Sequence, residues 1–354
     1  MASEDIVVAT ARRIMGEVLD PQTLNRATGE DWKATAWRAL EDAGLTLAWV
    51  PEVHGGAGAS MEDGFAIVRE AGRCAAPVPI CETLLAGWLL GCAGISVPKG
   101  TMTCAPTREG DCVRLGKSGA LEGRLRAVPF ARDAEFLALV AECEVKGGVV
   151  ALLETRGLAI AEGVNLAGDA QNAVVLSAVR PLALEPAPAG VDGRTLRLMG
   201  AIVRAVQMTG ALEAVLELAV AYANERVAFE RPIAKFQAVQ HSLARLAGEV
   251  AAAMAASGSA AEVAATRAPS EEAVLLEGAS AKIRVGEAAG EGAGIAHQVL
   301  GAIGFTREHT LHRFTRRLWA WRDDFGNESS WAVTLGGLVA GKGADALWPM
   351  LAER

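Results

Sequence analysis

Between residues 226 and 241 the chain reads Arg226-x-x-Phe229-x-x-Pro232-Ile233-x-x-Phe236-Gln237-x-x-x-His241. A permanently charged planar fork, aromatic rings and an amide donor at one junction suit a ligand that carries phosphates and a flat ring system. The flanking residues indicate how these groups are held. Leu212, Val215, Leu216, Ala219 and Tyr222 recur at three- and four-residue steps, the period of a buried helical face. Phe236, Val239, Gln240, Leu243 and Leu246 resume that period. Pro232 lacks an N–H and biases Arg231 away from helix, so the break between two long helices is expected near Glu230–Ile233. A plainer use of the same residues is a helical hairpin whose arginine caps a carbonyl and whose phenylalanine is core.

Two further glycine-bearing stretches stand at places where elements must change. Pro51-Glu52-x-x-Gly55-Gly56-x-Gly58 must be a turn-rich loop, because glycines this close permit positive φ and close backbone approach; His54 inside it reads as a solvent-facing loop residue. Gln298-Val-Leu-Gly301-Ala302-Ile-Gly304-Phe305-Thr306-x-Glu308 reads as a helix end, with Gly304 the natural left-handed cap. Gly290, Gly292 and Gly294 lie in a helical pattern with no strand before them, which argues for close helix packing and against a dinucleotide fingerprint. The run from His312 to Arg322 carries Arg313, Arg316, Arg317 and Arg322 with Trp319 and Trp321, read as a solvated basic face over core tryptophans.

Bulk properties narrow the function. The 354 residues are 51% hydrophobic and 21% charged, a globular composition long enough for a substantial core. The balance is acidic, 34 Lys plus Arg against 42 Asp plus Glu, which argues against a general nucleic-acid surface. No apolar run reads as a membrane span and the N-terminus lacks the order of a signal peptide, so a cytoplasmic protein is expected. Cys74, Cys81, Cys92, Cys104, Cys112 and Cys143 show neither C-x-x-C pairs nor zinc spacing; they are expected to be small buried hydrophobes in a reducing compartment, with no metal site.

RVAFERPIAKFQAVQHSLA resembles the R-x-x-F-G-x-P-I-x-x-F-Q-x-x-x-H-x-L-A signature of the acyl-CoA dehydrogenase family, with Glu230 in place of its glycine. VPEVHGGAG is similar to that family's V-P-E-x-x-G-G-x-G segment, and the Gln298–Glu308 stretch to its Q-x-x-G-G-x-G-F-x-x-E element, with Ala302 in place of a glycine. The resemblance implies an FAD-dependent protein in which Arg226, Phe229, Gln237, Gln298 and Gly301 reach FAD across a subunit interface. It implies an α+β fold of the acyl-CoA dehydrogenase kind: an N-terminal helical domain over 1–100, a small central β domain over 101–188 and a C-terminal four-helix bundle over 189–354. The implied partners are an acyl-CoA substrate, an electron-transfer flavoprotein, and further chains in a homodimer, homotetramer or heterotetramer.

The resemblance also sets a chemical requirement. The family reaction removes an α proton from an acyl-CoA thioester and passes the β hydrogen to flavin as hydride. It therefore needs a carboxylate base whose pKa is raised by burial. Most relatives carry that acid in a turn after the arginine-bearing helix, here Phe325; a second group carries it on the first bundle helix, here Gly200. Neither is an acid, so no catalytic residue is assigned. Asp323, Asp324 and Glu328 are the nearby acids, each equally suited to surface charge or helix capping. The family's T-E-P-x-A-G-S-D and W-x-I-T-G segments, which hold the flavin ring, survive only as frames at Thr103–Asp111 and Leu121-Glu-Gly123. TRRLWAWRDDFGNE and AAPVPICETLLAGWLL resemble the steroid side-chain branch, which is built as heterotetramers with one subunit type lacking the base. Two readings stand: α,β-dehydrogenation of an acyl-CoA by this chain, or a non-catalytic subunit that completes the FAD site of a catalytic partner.

Overall fold

The computed structural model describes residues 6–143 and 147–352. The chain opens with helices α1 (Ile6–Val18), α2 (Pro21–Arg26), α3 (Trp32–Asp42), α4 (Met61–Arg73) and α5 (Ile80–Cys92). Strands β1 (Met102–Ala105), β2 (Cys112–Leu115), β3 (Leu121–Pro129), β4 (Phe136–Cys143), β5 (Gly147–Glu154), β6 (Ala159–Ala161), β7 (Gln171–Val179) and β8 (Ala183–Pro186) follow. They form one sheet in the order β6-β7-β3-β2-β4-β5-β8, with β1 parallel to β4. The long helices come next: α6 (Gly193–Glu225), α7 (Gln237–Thr266) and α8 (Glu272–Leu300), then α9 (Leu311–Asp323), α10 (Glu328–Lys342) and α11 (Leu347–Ala352). A two-stranded ribbon, β9 (Val227–Ala228) with β10 (Arg231–Pro232), joins α6 to α7.

Local chemistry accounts for the element ends. Ser60 and Asp63 close a reciprocal capping box at the start of α4, and Asp192 and Thr195 another at α6. Asp31 stands at the cap position of α3 but accepts no backbone hydrogen bond, because its own backbone is already helical. Asp20 instead caps α2, a helix the apolar pattern did not announce. Helix α7 runs unbroken to Thr266 through a stretch of small residues that begins at Ala255. The helical break falls where Pro232 places it: α6 ends at Glu225, α7 begins at Gln237, and the ribbon and a short 3₁₀ turn fill the interval around Glu230–Ile233.

One apolar core runs through both helical regions, and a second lies within the sheet. The axis of the first is α6. An 18-residue window of this helix is long and apolar enough to cross a membrane, but 94% of it is buried inside the protein, as the central member of a bundle must be. Helix α4 crosses it backbone to backbone: a Cβ on Gly72 would strike Gln207 O, and one on Gly210 would strike Arg69 O. A Cβ on Gly292 would lie 2.9 Å from Leu212 Cδ2, so this glycine of α8 serves close helix packing, whereas a Cβ on Gly294 would meet open space. Of the cysteines, Cys74, Cys81 and Cys104 are buried, whereas Cys92 is exposed and Cys112 and Cys143 are half-buried; all are free. No cluster of His, Cys, Asp and Glu that could hold a metal occurs among the described residues.

Candidate functional site

The two positions where an acid was sought meet in space. Gly200 lies on α6 and Phe325 in the turn between α9 and α10, and a Cβ on Gly200 would overlap the Phe325 ring. The ring is 1% exposed. Arg197 and Arg204 flank Gly200 along the same helix, one over the Trp331 ring at 5.1 Å and the other over Phe325 and Trp321, each at 5.8 Å. Phe325 has φ 56°, a costly backbone for a bulky residue. Contacts around it sustain the turn: Trp331 Nε1 donates to Phe325 O at 3.1 Å, and Lys282 Nζ donates to Arg322 O at 2.5 Å and Gly326 O at 2.7 Å. Burial pulls the Lys282 pKa down to about 7, against Asp324 and Glu328, which support its charge.

Two of the three nearby acids are already engaged. Asp324, buried, accepts from Arg204 Nε at 3.1 Å and from Gln171 Nε2 at 2.7 Å. Arg204 also pairs with the buried Glu82 and donates through Nη1 to Gln207 Oε1 at 2.5 Å. Burial works against the Arg204 charge, but Glu82 and Asp324 more than restore it; burial pushes Glu82 itself up. Glu328 pairs with Arg322 at 2.6 Å, and Asp323 is exposed. The chain Gln171–Asp324–Arg204–Glu82 thus links β7, the α9–α10 turn, α6 and α5. The sequence announces these residues only faintly, as lone charges inside the apolar runs ICETLLAGWLL, AIVRAVQ and GASAKIRV.

The groups that should hold a flavin ring fit poorly here. Arg108 donates to Asp323 O at 2.6 Å, Glu109 pairs with Arg197 at 3.0 Å, and Asp111 pairs with Arg126 at 2.6 Å. The charged side chains of the segment Thr103–Asp111 are therefore occupied by partners within the chain. Strand β3 ends in Ala127-Val128-Pro129, which presents no side-chain donor. The arginines of α9 are not a solvated face: Arg316 Nε donates to Leu166 O at 2.7 Å, and the buried Arg317 pairs with Asp169 at 2.5 Å, both binding α9 to the sheet domain. A cleft of about 600 Å³ opens between the sheet and the start of α6, lined by Arg108, Asp111, Asp192, Arg194, Arg197 and Thr334.

The residues expected to reach FAD are placed differently. Helices α6 and α8 end, and α7 and α9 begin, at one end of the bundle, and Tyr222 meets His309 edge-on at 6.3 Å across it. Arg226, Phe229 and Gln237 stand at the α6–α7 junction and Gln298 and Gly301 at the end of α8, all of them exposed. Phe229 and Glu230 form the two-residue loop of the ribbon with φ 49° and 64°, the signature of a type I′ turn, and Phe229 is 89% exposed. The plainer reading of Phe229 as core is therefore wrong. Arg231 lies 4.3 Å over the Phe236 ring. Arg226, Gln237 and Gln298 make no side-chain hydrogen bond among the described residues, so their donors fit an incoming phosphate or base. The left-handed residue is Gly301, φ 65° and ψ −144°, and not Gly304; Ala302 sits in the short 3₁₀ turn after it and needs no glycine. In the first loop, Gly55 and Gly58 do take positive φ, and His54 is half-buried.

Comparison with known proteins follows this geometry. Residues 2–96 match the acyl-CoA dehydrogenase N-terminal domain, and residues 197–322 the acyl-CoA dehydrogenase C-terminal domain. Acyl-CoA dehydrogenase FadE34 of Mycobacterium tuberculosis is 32% identical over 89% of this chain, which spans only 45% of that relative. Acyl-CoA dehydrogenase IpdE2 of the same organism is 27% identical over 87% of this chain and 88% of its own length. Among solved structures, the ChsE4-ChsE5 complex of M. tuberculosis superposes with TM-score 0.83 over 96% of this chain and 97% of that one at 22% identity, a likeness of fold. The Tcur3481-Tcur3483 steroid acyl-CoA dehydrogenase variant superposes with TM-score 0.81 at 26% identity, over 95% of this chain and 97% of that one.

Proposed function

We propose a function from one premise: the chain belongs to the acyl-CoA dehydrogenase family. It takes part in α,β-dehydrogenation of an acyl-CoA as the subunit that completes the FAD site of a related catalytic chain. FAD, when bound, accepts the hydride; this chain contributes Arg226, Phe229, Gln237, Gln298 and the Gly301 backbone toward its nucleotide half. The observation that carries the reading is the Phe325 ring seated on Gly200. It fills the space into which an acid from either position would project; of the remaining acids, Asp324 and Glu328 are held by Arg204, Gln171 and Arg322, and Asp323 is exposed.

Distance supports a shared site. Gly200 and Glu225 lie about 38 Å apart along α6 at the helical rise per residue, beyond the reach of one extended dinucleotide. The nucleotide end therefore serves a flavin whose ring lies in another chain. The likeness to the two-protein ChsE4-ChsE5 complex and to the Tcur3481-Tcur3483 steroid acyl-CoA dehydrogenase supports a heterotetramer and a bulky, steroid-like acyl group. An electron-transfer flavoprotein is the proposed electron acceptor.

The test is the visible spectrum of the chain purified alone and co-purified with a related acyl-CoA dehydrogenase chain. Without oxygen, acyl-CoAs are then added to both. The proposal expects a colourless single chain and a yellow complex whose flavin bleaches. Flavin that remains with the single chain and bleaches on addition of an acyl-CoA would refute it.

A further inference from the structure

We propose that His297 is the positioning residue of the nucleotide-facing loop Gly301–Phe305. It lies in the last turn of α8, directly before Gln298, and is 7% exposed. Its ring is stacked between two others: Phe305 with centroids 4.3 Å apart at 23°, and Trp319 of α9 at 6.0 Å and 19°. Its Nε2 shares a 2.9 Å hydrogen bond with the buried Thr315 Oγ1, also on α9. Its Nδ1 is buried without a partner, close enough to Gly304 that a Cβ there would lie 3.3 Å away. One imidazole therefore connects α9 to Gly304 and Phe305, the far end of the turn that follows Gly301.

The consequence falls on Phe305, which is 72% exposed. A ring that open to water is ordered by what stacks on its covered face, and here that is the imidazole. The ring thereby keeps the backbone from Gly301 to Phe305 in one shape, with Gln298 one residue from the stack. The charge state agrees with this role. Burial, aided by His312, keeps the His297 pKa below its ordinary value, so the neutral stacking form prevails. The groups around it are Thr315, Trp319 and His312 of α9, Phe305 and the Gly304 backbone of the loop, and Arg313 and Arg316 in the next shell of the same helix.

The role as a shaper of a nucleotide-binding loop rests on the proposed function; the shaping itself does not. Hydrogen exchange of the isolated chain reads the shaping alone. His297→Gln keeps a polar group and loses the stack, whereas His297→Phe keeps the stack and loses the Thr315 bond. The expected result is at least tenfold faster exchange at residues 301–305 in His297→Gln, near-native exchange in His297→Phe, and unchanged protection along α6. Equal exchange in wild type and His297→Gln would overturn the proposal. Should His297→Gln not fold, Phe305→Ala removes the exposed half of the stack and must loosen the same residues. FAD retention by the co-purified complex then separates the two claims. Loss with Gln298→Ala but not with His297→Gln overturns the positioning role in binding. Retention with both variants would instead count against the proposed function.

Discussion

At the scale of single residues, the contact between Phe325 and Gly200 is the feature most open to measurement. Phe325→Ala should cost about 3–5 kcal/mol, the range for emptying a well-packed aromatic site. Gly200→Ala should cost about 1–3 kcal/mol through overpacking, because the new Cβ meets the ring. The double variant should cost less than the two together, since each change relieves the other, and denaturant unfolding of all four proteins measures that coupling. The histidines give a second residue-scale prediction. His297, His309 and His312 all titrate below their ordinary value, burial being the main cause in each. In the unfolded chain they bind protons first as pH falls, so their contribution to stability is full above about pH 6.5 and is lost as pH drops through their lowered folded values. Melting temperature should therefore decline from about pH 7 toward 5.5, and His312→Asn should flatten the decline.

At the scale of elements, turns carry the testable strain. Glu230 holds φ 64° where glycine would be at ease, so Glu230→Gly should stabilise the ribbon by about 1 kcal/mol. Gly301, with ψ −144°, occupies a region nearly closed to other residues. Gly301→Ala should destabilise by about 1–3 kcal/mol and loosen the end of α8, visible in thermal unfolding. These were the elements most readable in the sequence. Pro232, the glycines after Pro51 and the helical periods around Leu212 and Leu246 act through local backbone preferences, which one stretch of chain displays by itself. The break itself came where Pro232 placed it, and its ribbon form adds only the pairing of Val227 and Ala228 with Pro232 and Arg231 across a two-residue loop. The polar chain through Arg204 could not be read, because its partners Glu82 and Asp324 lie 122 and 120 residues away. The basic run of α9 was misread for the same reason, its partners being Leu166 and Asp169 on the sheet domain.

At the scale of the whole molecule, Gln171, Asp324, Arg204 and Glu82 tie the sheet domain to both helical regions through buried groups. Removing one partner strands the charge of another, so Asp324→Ala should cost about 3–5 kcal/mol, with little relief from added salt. Calorimetry should find the sheet domain unfolding apart from the bundle in that variant, whereas the native chain unfolds as one unit. Such a lock suits a chain that holds its shape to complete another's site. It also bears on how chemistry could return. A single base turns a glycine codon into an acidic one, whereas no single base does so for phenylalanine. The accessible mutational route back to a catalytic acid therefore runs through position 200, where the ring of Phe325 leaves no room for any side chain. Phe325 thereby bars an acid at position 200, and placing one there would require both positions to change together.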